Sequence, residues 1–322
     1  MPPEWAPHER GVMAWPCRRS MWGTQLGRAK ADYATTAKAV ARFEPVLMVT
    51  PPGQEAEAAA ACGSGVDVVA WPIDDSWTRD TGAIVVTDGA GQRRGIDFRF
   101  NSWGETYLPY DEDARFAERM CAHLGLERVD AGPFVLEGGS VTVDGDGVLV
   151  TTEQCLLHQN RNPSLSRAEI ADALRAWLGV LEVVWLPYGL VEDDDTDGHV
   201  DNVAAFVAPG VVLAQTADSD NPNAKRLRAN VDGLAAAGLE VLELDVLPYA
   251  VVGGRRVVVP PTNLYQADGG GVIVPVVDGD DGRRALDAVA RLLPDREVVG
   301  VPGAVLAFGG GGVHCITQQV PA

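Results

Sequence analysis

Apolar positions along this chain alternate between a helical and an extended rhythm. Residues 28–43 place Tyr33, Ala37, Val40 and Ala41 on one face, with alanine and lysine as good helix formers. Val46-Leu47-Met48-Val49-Thr50 follows as an apolar strand stopped by Pro51-Pro52. The same order then recurs. Helices are predicted over 54–62, 113–124, 166–178, 224–237 and 283–293, and strands over 66–71, 127–131, 181–186, 239–245 and 297–301. Ser166 with Glu169 forms a capping-box signature at the third of these helices. Each strand is expected to end at a proline, and the five prolines, Pro72, Pro133, Pro187, Pro248 and Pro302, lie 61, 54, 61 and 54 residues apart. Self-similarity at a near-constant interval predicts repeated supersecondary units within one domain spanning 1–322. An open α/β sheet is the competing architecture, but strand pairs such as 140–143 with 148–152 interrupt the single alternation it would show. The opening Met13-Ala14-Trp15-Pro16 is expected to be irregular or the start of an edge strand.

After each proline comes a polar or glycine-rich stretch. These are Asp74–Asp80, Glu137-Gly138-Gly139, Asp193–Asn202, Pro261-Thr262-Asn263, and Gly309-Gly310-Gly311-Gly312 running into Val313-His314-Cys315. If equivalent ends of the repeats converge, they place a thiol, an imidazole and several carboxylates in one site. Four glycines before a cysteine imply a backbone with unusual dihedrals or one that a ligand approaches closely. The plain alternative is a flexible loop beside a small buried cysteine.

Composition narrows the partners. The chain has 322 residues, 46% of them hydrophobic, enough for a large core. With 26 Lys+Arg against 45 Asp+Glu, its formal charge of −19 disfavours nucleic acid and anionic membranes and favours a cationic substrate. No apolar run approaches the roughly 20 residues of a membrane span. The opening lacks a signal-peptide pattern, so a soluble cytoplasmic protein is expected. The five cysteines show neither CxxC pairs nor zinc spacing, and reduced thiols are expected.

A cysteine, a histidine and several acids suit covalent chemistry at a cationic carbon: Cys315 as nucleophile, His199 moving protons, and Asp80, Glu137 and Asp201 holding positive charge. Paired carboxylates match the planar donor fork of a guanidinium. Asp193-Asp194-Asp195-Thr196-Asp197-Gly198 opens like a calcium loop, but Ala204 stands where the bidentate glutamate is required. The three leading acids then read as a solvated turn. His314 would face away from Cys315 if that segment is extended. His8, His123 and His158 lack acid-rich surroundings in sequence and are assigned to surface or core. Cys62 and Cys121, on helical patterns, are assigned structural places, and no P-loop lysine follows the glycines.

Four strings taken together carry a resemblance: Trp77-Thr78-Arg79-Asp80-Thr81-Gly82, Glu137-Gly138-Gly139, Thr196-Asp197-Gly198-His199-Val200-Asp201-Asn202, and Gly310-Gly311-Gly312-Val313-His314-Cys315-Ile316-Thr317-Gln318-Gln319. With the opening Pro3-Glu4-Trp5-Ala6-Pro7-His8-Glu9, they resemble the agmatine deiminase family, related to bacterial peptidylarginine deiminases in the guanidino-group modifying superfamily. The resemblance implies a five-bladed α/β propeller of pseudo-fivefold ββαβ units. It also implies hydrolysis of a small cationic guanidino substrate, agmatine, to N-carbamoylputrescine and ammonia without metal or cofactor. In that reading Cys315 attacks the guanidinium carbon, Asp80 and Asp201 bind its nitrogens, and His199 protonates ammonia and then activates water. Glu137 orients His199 or the substrate, Trp77 lines its aliphatic part, and Arg79 and Asn263 join the substrate-binding set. Ala83 and Gly312 depart from the proline and asparagine usual in the family. Another guanidino substrate, amidino transfer, and a non-catalytic guanidinium-binding protein are the alternatives. Oligomeric state has no readable pattern, and a homodimer is the default.

Overall fold

The computed structural model describes residues 1–322 and has a mixed α/β fold that divides into two compact units. One comprises Met1–Pro3 and Asp80–Glu243; the other comprises Glu4–Arg79 and Leu244–Ala322.

In the first unit, strand Ile84–Thr87 pairs antiparallel with Arg93–Arg99, which pairs parallel with Glu127–Val135. Val141–Val143, Val148–Thr152 and Glu182–Leu186 repeat that antiparallel-then-parallel order. Ala204–Ala208 pairs antiparallel with Val211–Gln215, and Glu240–Leu244 completes this third sheet. Parallel neighbours need a crossover, and helices Phe116–Leu124 and Arg167–Leu178 occupy the first two. Ala224–Ala236 fills the corresponding place in the third. Ile96, Phe98, Phe134, Leu136, Leu149, Leu156, Ile170, Leu174 and Leu178 form a continuous core between these helices and strands.

The second unit repeats the theme. Tyr265–Gln266 runs antiparallel to Gly271–Val276, which is parallel to Glu297–Pro302, with helix Asp280–Leu292 in the crossover. Its largest sheet has the order Gln318–Pro321, His8–Ala14, Val46–Thr50, Val66–Ala70, the first pair antiparallel and the others parallel. Helix Leu26–Val40 buries Ala29, Tyr33, Ala37 and Val40, matching the spacing of its apolar face.

The predicted helices and most strands appear within a few residues of their expected bounds, with three departures. His8–Ala14 is not an edge, because the C-terminal Gln318–Pro321 covers its other side from the far end of the chain. The strand beginning at Glu127 runs through Pro133 to Val135, with an irregular register between the Asp97 and Arg99 pairings; proline is tolerated at such an irregularity. Val313–Ile316 is a turn rather than extended chain, so the face-alternation argument does not apply to His314 and Cys315.

Ser166 caps its helix reciprocally, its Oγ accepting from the Glu169 N–H while the Glu169 carboxylate accepts from the Ser166 N–H. Ser166→Ala is expected to cost about 1 kcal/mol. Gly282→Ala should cost several times more, because a Cβ there would lie 1.8 Å from the Val277 carbonyl oxygen. Urea denaturation of both variants checks this; equal midpoints would contradict it.

Candidate active site

The acid and imidazole groups gather in the first unit around Gly139. Asp80 lies in the short helix Thr78–Thr81, Gly139 in a turn before Val141–Val143, and His199 and Asp201 at the short helix preceding Ala204–Ala208. A Cβ on Gly139 would stand 2.5 Å from His199 Nδ1, 2.9 Å from Asp201 Oδ2 and 3.0 Å from Asp80 Oδ1. Only hydrogen fits there. The Gly139 N–H donates to Asp80 Oδ1 at 2.9 Å, and the Trp103 indole N–H donates to Asp80 Oδ2 at 3.0 Å. His199 has zero exposure; its Nδ1 lies 3.9 Å from Asp80 Oδ2 and its Nε2 3.9 Å from Glu137 Oε2. Neither ring nitrogen makes a hydrogen bond to a protein nitrogen or oxygen, and the Cys155 thiol is its hydrogen-bonding neighbour. A proton carrier has been placed among acids without being tied to one.

Burial sets the electrostatics. It alone would hold the His199 pKa down, but the charge of Asp80, with Cys155 and Asp201 beside it, carries the pKa well above the ordinary histidine value. Desolvation raises the Asp80 carboxyl, reinforced by Glu137 and Asp201 and opposed by His199 and the Gly139 N–H. Several acids packed together out of water repel one another, and an arriving cation relieves that repulsion.

Sequence reasoning missed the groups that hold this cluster. Arg161, with no side-chain exposure, puts Nε 2.8 Å from Glu137 Oε1 and 2.9 Å from Oε2. It also donates to Asp197 Oδ2 at 2.8 Å and to the Thr196 carbonyl at 3.0 Å, so it ties the Glu137 turn to the His199 loop. Asn160 donates to Asp197 Oδ2 at 2.9 Å, and His158 Nδ1 is 3.3 Å from the same oxygen. Asp193 is no solvated residue: its carboxylate accepts from the Thr196 N–H at 3.0 Å, the His199 N–H at 3.1 Å and Asn202 Nδ2 at 3.3 Å. The string that looked like a calcium loop is organised as a capped turn. Trp103 reaches Asp80 from a left-handed stretch, with φ of +54° at Ser102 and Trp103 and +64° at Glu105, where non-glycine residues cost about 1 kcal/mol or more each. Asn101 Oδ1 secures that stretch by accepting the Gly104 N–H at 3.0 Å. The polar triplet Asn160-Arg161-Asn162 and the Trp103-Gly104 pair were the available signals.

The thiol lies in the second unit. Cys315 is 4% exposed, and Asn263 Nδ2 is 3.3 Å from its Sγ while Asn263 Oδ1 accepts the His314 N–H at 2.9 Å. Asn263 Oδ1 is also 3.6 Å from the sulfur, so the amide meets Cys315 with both its donor and its acceptor. A Cβ on Gly311 would meet Trp77 at 2.5 Å and Cys315 Cβ at 3.0 Å, and one on Gly312 would meet Asn263 Oδ1 at 2.4 Å. The glycines therefore let Trp77, Asn263 and the cysteine turn crowd together, and Gly312 is required by the Asn263 amide. Trp77 stacks on Trp22 with centroids 5.8 Å apart.

Arg79, expected among the substrate-binding residues, has its guanidinium engaged within the protein. It donates to Glu4 Oε1 at 2.7 Å, Gln319 Oε1 at 2.6 Å and the His314 carbonyl at 3.3 Å, and its backbone N–H donates to the Cys315 carbonyl at 3.2 Å. Glu4 also pairs with His314 Nε2 at 3.0 Å. Burial would raise the Glu4 carboxyl, but the cations of His314 and Arg79 hold it down at about 2. His8, assigned to surface or core, is buried with an acid partner: its Nδ1 is 2.8 Å from Glu44 Oε2, and the Tyr265 hydroxyl donates to the same carboxylate at 2.6 Å. Cys62 and Cys121 are buried, as expected of structural cysteines, their thiols pushed up to about 11 by desolvation.

The family model for Porphyromonas-type peptidyl-arginine deiminases matches residues 1–321. The chain belongs to that family. Among its relatives, the agmatine deiminase of Pseudomonas aeruginosa is 42% identical over 351 aligned positions, covering 100% of this chain and 95% of the relative. A structure of the Enterococcus faecalis agmatine deiminase is 32% identical, with TM-score 0.95 and coverage of 100% of this chain and 95% of that one. A substrate-bound agmatine deiminase of C. jejuni is 27% identical, with TM-score 0.91 and coverage of 99% and 95%. The fold and overall length of this family member thus match enzymes named for a guanidino substrate.

Gly139→Ala is expected to fold but to lower kcat/KM by about 100-fold or more, since its methyl displaces His199, Asp80 or Asp201. Circular dichroism alongside ammonia release checks it, and a fully active variant would refute the packing argument. For Glu4 the sign is set by a depressed pKa. Its stabilising contribution is present above the ordinary value of 4.5 and is lost as pH falls toward about 2. Glu4→Gln should lower Tm at pH 7 and flatten the decline of Tm across that window; an unchanged acid limb would count against it.

Proposed function

We propose that this chain hydrolyses the guanidinium of agmatine to N-carbamoylputrescine and ammonia through a covalent cysteine intermediate. The observation that carries the reading is the buried cluster of Asp80, Glu137 and Asp201 around a His199 whose ring nitrogens are hydrogen-bonded to no carboxylate, in a family whose named relatives are agmatine deiminases. Paired carboxylates accept the N–H groups of a planar cation, neutralising charge that is costly to bury alone.

In this reading Asp80 and Asp201 hold the guanidinium nitrogens and the Cys315 thiolate attacks the central carbon, forming a C–S bond and a tetrahedral adduct. The C–N bond to one amino group breaks as His199 protonates it, releasing ammonia and leaving a thiouronium-type intermediate. His199, now neutral, takes a proton from water as the water oxygen attacks the same carbon. The C–S bond then breaks and the hydroxyl proton passes to solvent, giving the neutral ureido product and the free thiolate. Glu137, held by Arg161, keeps the imidazole oriented. Trp77 lines the aliphatic part of the substrate, and Asn263 stabilises the thiolate. Arg79 serves by holding the cysteine turn through its bonds to Glu4, Gln319 and His314 rather than by touching substrate. No metal or cofactor takes part in these steps.

The reading also takes 1–322 as one catalytic domain of five repeats closed into a five-bladed propeller. The antiparallel-then-parallel strand order repeated across the sheets supports it. Five free cysteines suit a reducing cytoplasm. No helix is long and apolar enough to cross a membrane, and the charge of −19 disfavours nucleic-acid partners. A homodimer is the default assembly, to be checked by light scattering.

Ammonia release should be measured with agmatine, free arginine, a peptidyl-arginine mimic and a short alkylguanidine. A preference for agmatine of tenfold or more in kcat/KM, about 1.4 kcal/mol in transition-state binding, is expected. Cys315→Ala should abolish turnover while retaining guanidinium binding, and Asp80→Asn should weaken both. Turnover by Cys315→Ala sinks the mechanism; preference for the peptidyl mimic moves the substrate.

A further inference from the structure

The mechanism makes no use of Cys155, yet its thiol sits at the catalytic cluster. It lies in the short helix Glu153–Leu156 after strand Val148–Thr152, with zero exposure, and its N–H is fixed by the Thr152 hydroxyl at 3.1 Å. Its sulfur, one carboxylate oxygen of Glu137 and one ring nitrogen of His199 all lie within 4.8 Å of one another. The imidazole is fully buried, makes no hydrogen bond to a nitrogen or oxygen of the protein and has the Cys155 thiol beside it, so on losing a proton it offers a ring nitrogen to an ion. The nitrogen facing Glu137 is Nε2; Nδ1 faces Asp80.

We propose that Glu137, Cys155 and His199 form an inhibitory site for a thiophilic divalent cation of the zinc and cadmium type, distinct from the nucleophile Cys315. Thiolate, imidazole and carboxylate are the donor types that zinc takes, and three protein ligands leave the fourth position open. Ligand atoms around a tetrahedral zinc stand about 3.3–3.8 Å apart, so closing the site requires side-chain movements of about an ångström. Asp80 and Asp201 add negative charge next to His199 and offset the one neighbouring cation, Arg161. A sulfur ligand makes the site selective for soft ions, since calcium and magnesium prefer all-oxygen shells.

Binding exchanges two protons for a metal: the Cys155 S–H bond and the Nε2–H bond of the His199 imidazolium break, both protons go to solvent, and a metal–sulfur bond forms. Nε2 gives its lone pair to the same ion. The ring proton is then confined to Nδ1, and the imidazole can no longer take up a second proton to become imidazolium. A group that must alternate between acid and base is locked in one state. The inhibitory consequence rests on the catalytic reading above, whereas the binding does not.

Binding is tested by titrating Cd2+ into the Cys315→Ala protein and following the ultraviolet thiolate-to-cadmium charge-transfer absorption. One equivalent per chain is expected in Cys315→Ala and none in Cys315→Ala/Cys155→Ser, with Cys17, Cys62 and Cys121 present in both. Loss of the band in Cys315→Ala, or its persistence in the double variant, overturns the proposal whether or not agmatine is turned over. Inhibition is tested with Zn2+ on agmatine turnover, each protein referred to its own metal-free rate and recovery checked with EDTA. Cys155→Ser should raise the half-inhibitory concentration at least tenfold; equal sensitivity refutes the site. Should Cys155→Ser fail to fold, Cys155→Ala in the Cys315→Ala background serves instead: loss of the cadmium band supports the site, and its persistence refutes it.

Discussion

Negative charge out of water is the constraint around which the first unit is built. Asp80, Glu137, His199 and Asp201 are all between 0% and 6% exposed, and ionised acids at such positions cost several kcal/mol each unless something answers their charge. The protein answers part of it. Arg161 Nε faces both Glu137 oxygens, the Gly139 N–H and the Trp103 indole serve Asp80, and the carboxylates lift the basicity of His199. What remains is more acid than cation in one buried place, with Asp80, Glu137 and Asp201 set against Arg161 and His199. In the proposed reading a planar cation with several N–H groups answers that remaining charge, which would link the energetics of folding here to the choice of substrate.

The same constraint accounts for the unusual backbone nearby. Trp103 donates to Asp80 from a run of left-handed residues, and Asp197, which carries the Arg161 and Asn160 contacts, also has φ at +59°. Strain of about 1–3 kcal/mol per residue persists only where surrounding bonds outweigh it. Asn101, Asn160 and Arg161 supply those bonds. In the second unit the problem is steric rather than electrostatic. Gly309, Gly311 and Gly312 pack against Trp22, Trp77 and Asn263, so the glycine run creates close approach to aromatic and amide groups. Here the glycines are packed, which answers the reading of them as a flexible loop.

Periodic features were legible in the sequence because they are local. The apolar face of Leu26–Val40, the Ser166–Glu169 capping box, the strand Val46–Thr50 and the recurrence of helix, strand and proline all follow from residues a few positions apart. Of the predicted site, Asp80, Glu137, His199 and Asp201 do come together, as do Cys315, Asn263 and Trp77. Arg161, Trp103 and Glu4 were not assigned, because a lone Arg, Trp or Glu shows nothing in sequence of the distant residue it will touch. Arg79 illustrates the converse: its place beside Asp80 in a recognisable string invited a substrate role, while its bonds run to Glu4, Gln319 and the His314 carbonyl.

By itself the sequence determined the alternation of elements, the acidic character, and the residue types available for thiol, proton-transfer and cation-holding chemistry. Those depend on side-chain chemistry and on spacings of two to four residues. Only the tertiary structure decided that His8–Ala14 is an interior strand, that the strand from Glu127 continues through its proline, and that Cys315 occupies a turn. It likewise decided which of several buried thiols lies beside the imidazole, and which arginine holds the Glu137 carboxylate and which a backbone carbonyl. Each of these is settled by partners tens to hundreds of residues away, and such pairings arise from packing the whole chain.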